Sequence, residues 1–275
     1  MKKKEKFHLF HSVKREIYYS FIRMIRLFSY LFSKNIEHQF LFILSPPYAG
    51  STMLNQLISY SNNVSCNNNL GTREGQLLPG VKHIMFQKDR WNENVQYPWK
   101  KVRKIWLKYW DYSKPILLDK SIPNIMRVDE IEKVFSPIKY ICMVRNPYAQ
   151  VEGLMRRNNQ DAKSAAKFAI KCLYYQSKNR KRKNIFFLTY EQLCDNREEI
   201  SQRLIKFMPE LADLDMNIEL TSHNFKTKGK MKMVNLNDEK IAKISETDFE
   251  IINLIFEKDK NLLKEFGYKI INNDK

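Results

Sequence analysis

The amino-acid sequence predicts a three-layer α/β/α domain built on a central parallel sheet of four to five strands. Short apolar runs at Gln39–Ser45, Ile116–Leu118, Tyr140–Val144 and Ile185–Leu188 are each followed by a segment that reads as helix. Runs of that length and continuity mark strands buried on both faces. Strands that alternate with helices pair in parallel and carry helices on both sides of the sheet. With 275 residues, 43% hydrophobic and 28% charged, the chain can bury such a core.

Residues 1–36 stand apart as a basic, amphipathic helical segment, and the domain proper is placed at 37–275. Lys2, Lys3, Lys4 and Lys6 open the chain, and an aromatic-rich stretch runs from Ile17 to Phe32. Arg23 and Arg26 interrupt it and no small-residue cleavage pattern follows, so a secretory signal is not expected. Nor does it offer the roughly 18 uncharged residues of a membrane span. Glu16, Ser20, Arg23, Arg26 and Ser29 recur every three or four positions, a narrow polar stripe on a wide apolar helix. Two readings are open: a helix packed on the domain, or an interfacial helix over residues 15–33 in peripheral contact with an anionic membrane.

The elements follow in order. Pro46-Pro47 end the first strand, and Gly50-Ser51-Thr52 lead into a helix near 51–60. Asparagines cluster at 62–69, which reads as loop. Further helices are predicted near 98–111, 123–135, 147–157, 161–182, 190–207 and 247–265. The basic run Lys178–Lys183 closes one of them, where cations complement the carbonyl end of the helix dipole.

Charge narrows the partner classes. Lys and Arg number 48 against 30 acidic side chains, a net +18 that attracts nucleic acid, anionic membrane, or a small ligand dense in phosphate and sulfate. No recognition-helix, RRM or zinc-finger signature is present and the charge is spread along the chain, so a nucleic-acid partner is not expected. Cys66, Cys142, Cys172 and Cys194 are widely spaced with no CxxC pair, which fits neither a zinc site nor a disulfide framework. A reducing, cytoplasmic setting is expected, with membrane association open. The five histidines form no HExxH-type pair, and no metal is expected.

Three strand ends each present an anion-binding element. SPPYAGST, residues 45–52, makes a strand, a tight turn and a helix start whose free amides and hydroxyls suit a phosphate or sulfate. A nucleotidase P-loop needs GxxxxGK[ST]; here Ser45 and Ser51 stand at the first Gly and the Lys. PILLDKSIPN puts Lys120 just past a strand, and KYICMVRNPYAQV does the same for Arg145. Ligands of open parallel sheets bind at that edge, where Arg suits bidentate phosphate contact.

These segments, with FFLTYEQLCDNREEISQRLIKFM and NLIFEKDKNLLKEFGYKI, resemble the sulfotransferases that use 3′-phosphoadenylyl sulfate as co-substrate, most of all protein-tyrosine sulfotransferases and related bacterial enzymes. The likeness covers about residues 39–270 and implies a P-loop-like fold. Position by position it implies that Tyr48, Ala49, Gly50, Ser51 and Thr52 form the loop around the 5′-phosphosulfate. Arg145 and position 153 would meet the 3′-phosphate, Tyr190 would lie near the adenosine, and Lys232 would belong to a late basic segment closing over the nucleotide. Glu74, in GTREGQLL, falls at a catalytic Glu, and Lys120 at a Lys that assists the moving sulfuryl group. Two positions depart from the family pattern. Tyr48 stands where a basic residue is usual, and Gly153 where Ser is common, a loss worth about 1–3 kcal/mol if that contact is charged.

The resemblance thus points to sulfuryl transfer onto a hydroxyl of a glycan, tyrosyl or lipid acceptor, with Glu74 as base and no metal. His83 and His223 are alternative bases. A small-molecule kinase, or a non-catalytic basic homologue that binds membrane or nucleic acid, are the rival readings. Trp91, Tyr97, Trp99, Trp106, Tyr109 and Trp110 could stack on a sugar or lipid, or fill the core.

Overall fold

The computed structural model describes residues 2–33, 35–221, 230–231 and 233–271, with side chains described from residue 13 and not at 230–231. Five strands, β1 (Gln39–Leu44), β2 (Val64–Cys66), β3 (Ile116–Asp119), β4 (Ile138–Val144) and β5 (Ile185–Thr189), form one parallel sheet in the order β2-β3-β1-β4-β5. The expected three-layer α/β fold is therefore present. The strand missing from the sequence reading is β2, inside the Asn-rich segment. Asn resists strands locally, so pairing with β3 decides this one.

Helices cover both faces. α1 (Lys2–Phe32) precedes the sheet, α2 (Ser51–Ile58) follows β1, and α3 (Lys82–Met85) and α4 (Trp99–Trp106) lie between β2 and β3. α5 (Val128–Glu132) leads to β4, and α6 (Pro147–Asn158) and α7 (Ala162–Asn179) to β5. After β5 come α8 (Tyr190–Asp195), α9 (Arg197–Phe207), α10 (Asn237–Ile241), α11 (Glu246–Phe256) and α12 (Lys260–Glu265). The helix expected over 190–207 is two helices, broken at Asn196. That over 123–135 is a 3₁₀ turn, Ile122–Met126, followed by α5. A short antiparallel pair, β6 (Leu220–Thr221) and β7 (Lys230–Met231), lies outside the main sheet.

Alternation along β1 splits the core. Leu41 and Ile43 pack with α2, α8 and α9; Phe40, Phe42 and Leu44 pack with Trp99, Trp106, Trp110 and Phe135. Tyr97, Trp99, Trp106, Tyr109 and Trp110 are all buried, and Trp91 packs on Phe168, so this aromatic stretch is core rather than an acceptor platform. A third cluster joins α6 and α7 to α11. The four cysteines are buried and unpaired.

α1 is oriented against expectation. A wide apolar helix laid on a domain should turn its polar stripe to water. Glu16, Ser20 and Arg23 do face water, but Arg26 pairs with Asp111, Ser29 Oγ donates to Asp111 at 2.5 Å, and Tyr19 OH donates to Asn68 at 3.0 Å. The apolar side, including Ile17, Phe21, Met24, Phe28 and Leu31, faces outward.

Candidate active site

Sheet register brings the three predicted elements to one rim. β1 sits between β3 and β4, so the turn after Leu44, the residue after Asp119 and the residue after Val144 emerge side by side. Val144 pairs with Thr189 in the last rung of β4–β5, so Arg145 and Tyr190 leave the sheet as neighbours.

The loop 45–50 turns sharply. Tyr48 and Gly50 both adopt left-handed backbone, with φ of 63° and 91°. Gly50 is required twice over, since a Cβ there would lie 2.6 Å from the Tyr190 ring. The amides of Ser51 and Thr52 then stand in the first turn of α2, where a helix offers its own donors no acceptor. Ala49 and Ser51 are buried beneath that turn.

Arg145 is the least compensated group of the rim. The residue is 4% exposed and its guanidinium carbon lies 3.9 Å from the centre of the Tyr190 ring, a cation–π pair. Nε donates to Asn237 Oδ1 at 2.7 Å and Nη1 to the Tyr48 carbonyl at 3.1 Å. Nη2 has no partner among the described residues, and no carboxylate pairs with the group there. Burial, chiefly, lowers the affinity of this guanidinium for its proton. A buried cation held by neutral acceptors, with one nitrogen left over, is a site made for an anion.

A second layer fixes this pocket. Glu191 Oε1 accepts from the Asn146 amide at 2.8 Å and from Asn237 Nδ2 at 2.5 Å, and its Oε2 accepts from Tyr268 OH at 3.0 Å. The TYEQL and FGYKI segments thus meet: Tyr190 lies against Arg145, and Glu191 orients the Asn that holds it. Thr189 and Gln192 close a reciprocal capping box at the start of α8. Tyr190 OH donates to the Val234 carbonyl at 2.9 Å, and burial raises its phenol to about 12.

On the other side of β1 the cation has a partner. Lys120, 1% exposed, donates to Glu74 Oε1 at 3.3 Å and to Thr52 Oγ1 at 3.2 Å. Glu74 Oε2 also accepts from Gln76 Nε2. Arg73, just before Glu74, holds a φ of 59°, stabilised by bonds to Asn55 at 2.5 Å and Asn69 at 2.7 Å. Strain in a non-glycine residue next to a buried carboxylate is the kind that collects at functional sites.

Asp119, fully buried at the end of β3, anchors this half. It accepts from Asn67 at 2.8 Å, Asn124 at 2.9 Å and Ser121 at 3.2 Å, while Ser121 Oγ accepts from the Gln76 amide at 2.9 Å. Burial raises its carboxyl to about 6 despite those donors and Lys120.

Two predicted positions are placed differently from the rest. The Tyr48 ring turns to α6, its OH donating to Asn158 at 2.5 Å, so it enters the rim through its carbonyl. Gly153 meets that side chain: a Cβ at 153 would lie 2.8 Å from Tyr48 Cβ and 2.9 Å from the first ring carbon. The two departures from the family pattern are one contact. Lys232 and His223 lie outside the described residues. His83 is exposed on α3.

Sequence reasoning missed Lys240, Asn237 and Asp119. Lys240 Nζ lies 3.6 Å from Glu152, which also pairs with Arg156. Burial and then the nearby Arg145 push its ammonium down to about 8, with Arg156 adding to that and Glu152 opposing it. A Lys in a lysine-rich tail gives no signal of such a position; only folding of α10 onto Arg145 does.

A model described as the sulfotransferase family matches residues 41–211. The chain belongs to that family. Two solved sulfotransferase domains share the fold at 17% identity. The domain from the curacin biosynthetic pathway matches over 86% of this chain and all of its own length, with a TM-score of 0.51. The domain from the Synechococcus PCC 7002 olefin synthase matches over 87% of this chain and 98% of its own, at 0.52. No curated protein sequence matches the chain. The family match begins within β1 and ends in the 3₁₀ turn after α9, so of the described site residues named above Val234, Asn237, Lys240 and Tyr268 lie beyond it.

Proposed function

We propose that this sulfotransferase moves a sulfuryl group from 3′-phosphoadenylyl sulfate to a hydroxyl acceptor, with Arg145 holding the 3′-phosphate and Glu74 acting as base. The observation that carries the reading is Arg145 itself, a buried guanidinium with an unused nitrogen and no carboxylate bonded to it among the described residues. A donor bearing phosphate at two positions fits a rim with two anion sites flanking β1. When bound, the donor supplies the sulfuryl group and leaves as adenosine 3′,5′-bisphosphate. Gly50, Ser51 and Thr52 offer amides and hydroxyls to its 5′ side. Lys240 adds a second cation beside Arg145, where the family's Ser is replaced by Gly153.

Glu74 and Lys120 divide the chemistry between them. Glu74 takes the proton from the acceptor hydroxyl, and Lys120, 3.3 Å away, offsets negative charge on oxygens beside it. Thr52 and Gln76 keep that pair in place. Positioning and charge stabilisation suffice for a group transfer of this kind, without covalent help from the protein.

Thermal unfolding with adenosine 3′,5′-bisphosphate and, separately, ATP tests the donor class. At about a hundredfold excess over Kd the bisphosphate should stabilise the fold by about 2.7 kcal/mol, a rise of a few degrees, and ATP should not. An equal or larger rise with ATP and Mg²⁺ would favour the kinase reading instead.

A further inference from the structure

We propose that α1 is an interfacial anchor, seated lengthwise on an anionic lipid surface by the face it turns away from the domain. The helix docks through one edge of its polar stripe and the residues beside it: Arg26 and Ser29 on Asp111, Tyr19 on Asn68, with Tyr18 and Ile22 packed beside them, while Glu16, Ser20 and Arg23 stay exposed. Its outward side carries Ile17, Phe21, Met24, Phe28, Leu31 and Phe32, each more than half exposed. At about 100° per residue the outward apolar side chains, from Leu27 round to Ile25, sweep about 160° of the helix, with Ser20 and Lys14 the polar members of that band. An apolar band so wide normally packs on a core. Here the core side is a narrower, mixed face of Tyr18, Tyr19, Ile22, Arg26 and Ser29.

Width and charge select the occupant. A second copy of this chain would use the narrow seam of a two-stranded coil, whose edges carry charges of both signs. This band is far wider than such a seam, and α1 carries eight basic residues against only Glu5 and Glu16. Arg15 and Arg23 are exposed, and Lys2, Lys3, Lys4 and Lys6 extend the positive charge toward the chain start. Paired in parallel, two such helices would bring like charges together, whereas anionic headgroups would neutralise them. Phe21, Phe28, Phe32 and Tyr30 are side chains suited to the headgroup boundary. Among the described residues no helix is long and apolar enough to cross a membrane, so α1 lies along the surface.

The full chain, sedimented with vesicles of phosphatidylcholine alone or with about one-third phosphatidylglycerol, decides the matter. Binding should be about tenfold or more stronger to the anionic vesicles and should weaken with salt. The double variant Phe21→Glu/Phe28→Glu should lose it with the melting temperature unchanged, because both rings are solvent-facing. If that variant folds poorly, Arg15→Glu/Arg23→Glu, on exposed positions, should show the same loss. Absence of binding, equal binding to neutral vesicles, or variants that bind as well as wild type would overturn the proposal. So would a lipid-free dimer in light scattering that the Glu variant dissociates, since the face would then be a contact between copies.

Discussion

Arg145 and Lys120 stand on opposite sides of β1, both buried and both cationic, yet they are built differently. Lys120 has a carboxylate at 3.3 Å, and Arg145 has an amide oxygen, a carbonyl and an aromatic face. A buried charge left without an opposite charge costs stability until a ligand supplies one. The Arg145 side therefore leaves its cation without a bonded carboxylate among the described residues, whereas the Lys120 side holds its own ion pair. Under the proposed function one half is binding machinery, the other a proton-handling pair.

The largest effect should fall on the paired side. Glu74→Gln should lower kcat by about 10²–10⁴-fold while nucleotide affinity holds, measured with a demonstrated acceptor. Turnover equal to wild type would make the two halves alike and remove Glu74 as base. On the unpaired side, Arg145→Met should weaken adenosine 3′,5′-bisphosphate by about 10–100-fold, the worth of a charged hydrogen bond or two. The melting temperature of the free protein should change little, because removal of a buried charge is offset by two acceptors, Asn237 Oδ1 and the Tyr48 carbonyl, that lose their donor. A variant that loses stability but keeps affinity would make Arg145 a structural residue.

Smaller still is the pH effect at Lys240. Its folded-state ammonium is held at about 8 against an ordinary value of 10.5, facing Arg145, Arg156 and Glu152. Above pH 8 the free protein loses this charge, so bisphosphate affinity should fall by up to about tenfold per pH unit, and Lys240→Met should flatten the slope. Stability of the free protein should run the other way between pH 8 and 10.5, since the unfolded chain keeps the proton longer. Calorimetry at two pH values reads both trends.

Much of this rim was legible beforehand. Gly50, Lys120 and Arg145 each follow an apolar run, and the rule that parallel strands present their ligands at one edge brought them together. Glu74 was different. Only resemblance suggested it, because the 67–77 segment has no periodicity, and its place comes from Asn67, Ser121 and Asp119 bonding across three segments. α10 carries no anion-site signature, and Asn237 acquires its role from Glu191, 46 residues earlier in the chain. The polar stripe of α1 was visible in the sequence, but not which way it would face. A helix wheel records amphipathicity without saying which side the domain takes, and Asp111, 82 residues beyond Ser29, settled that.

The packing of Tyr48 on Gly153 ties the 45–50 turn to α6 by backbone position as much as by the ring. A side chain at 153 would begin 2.8 Å from Tyr48 Cβ, an atom that every residue but glycine carries, and 2.9 Å from the first ring carbon. Removing the ring alone therefore leaves Ser at 153 obstructed. A return of Ser there asks the left-handed turn at 48 to shift away from α6, whichever side chain that turn carries.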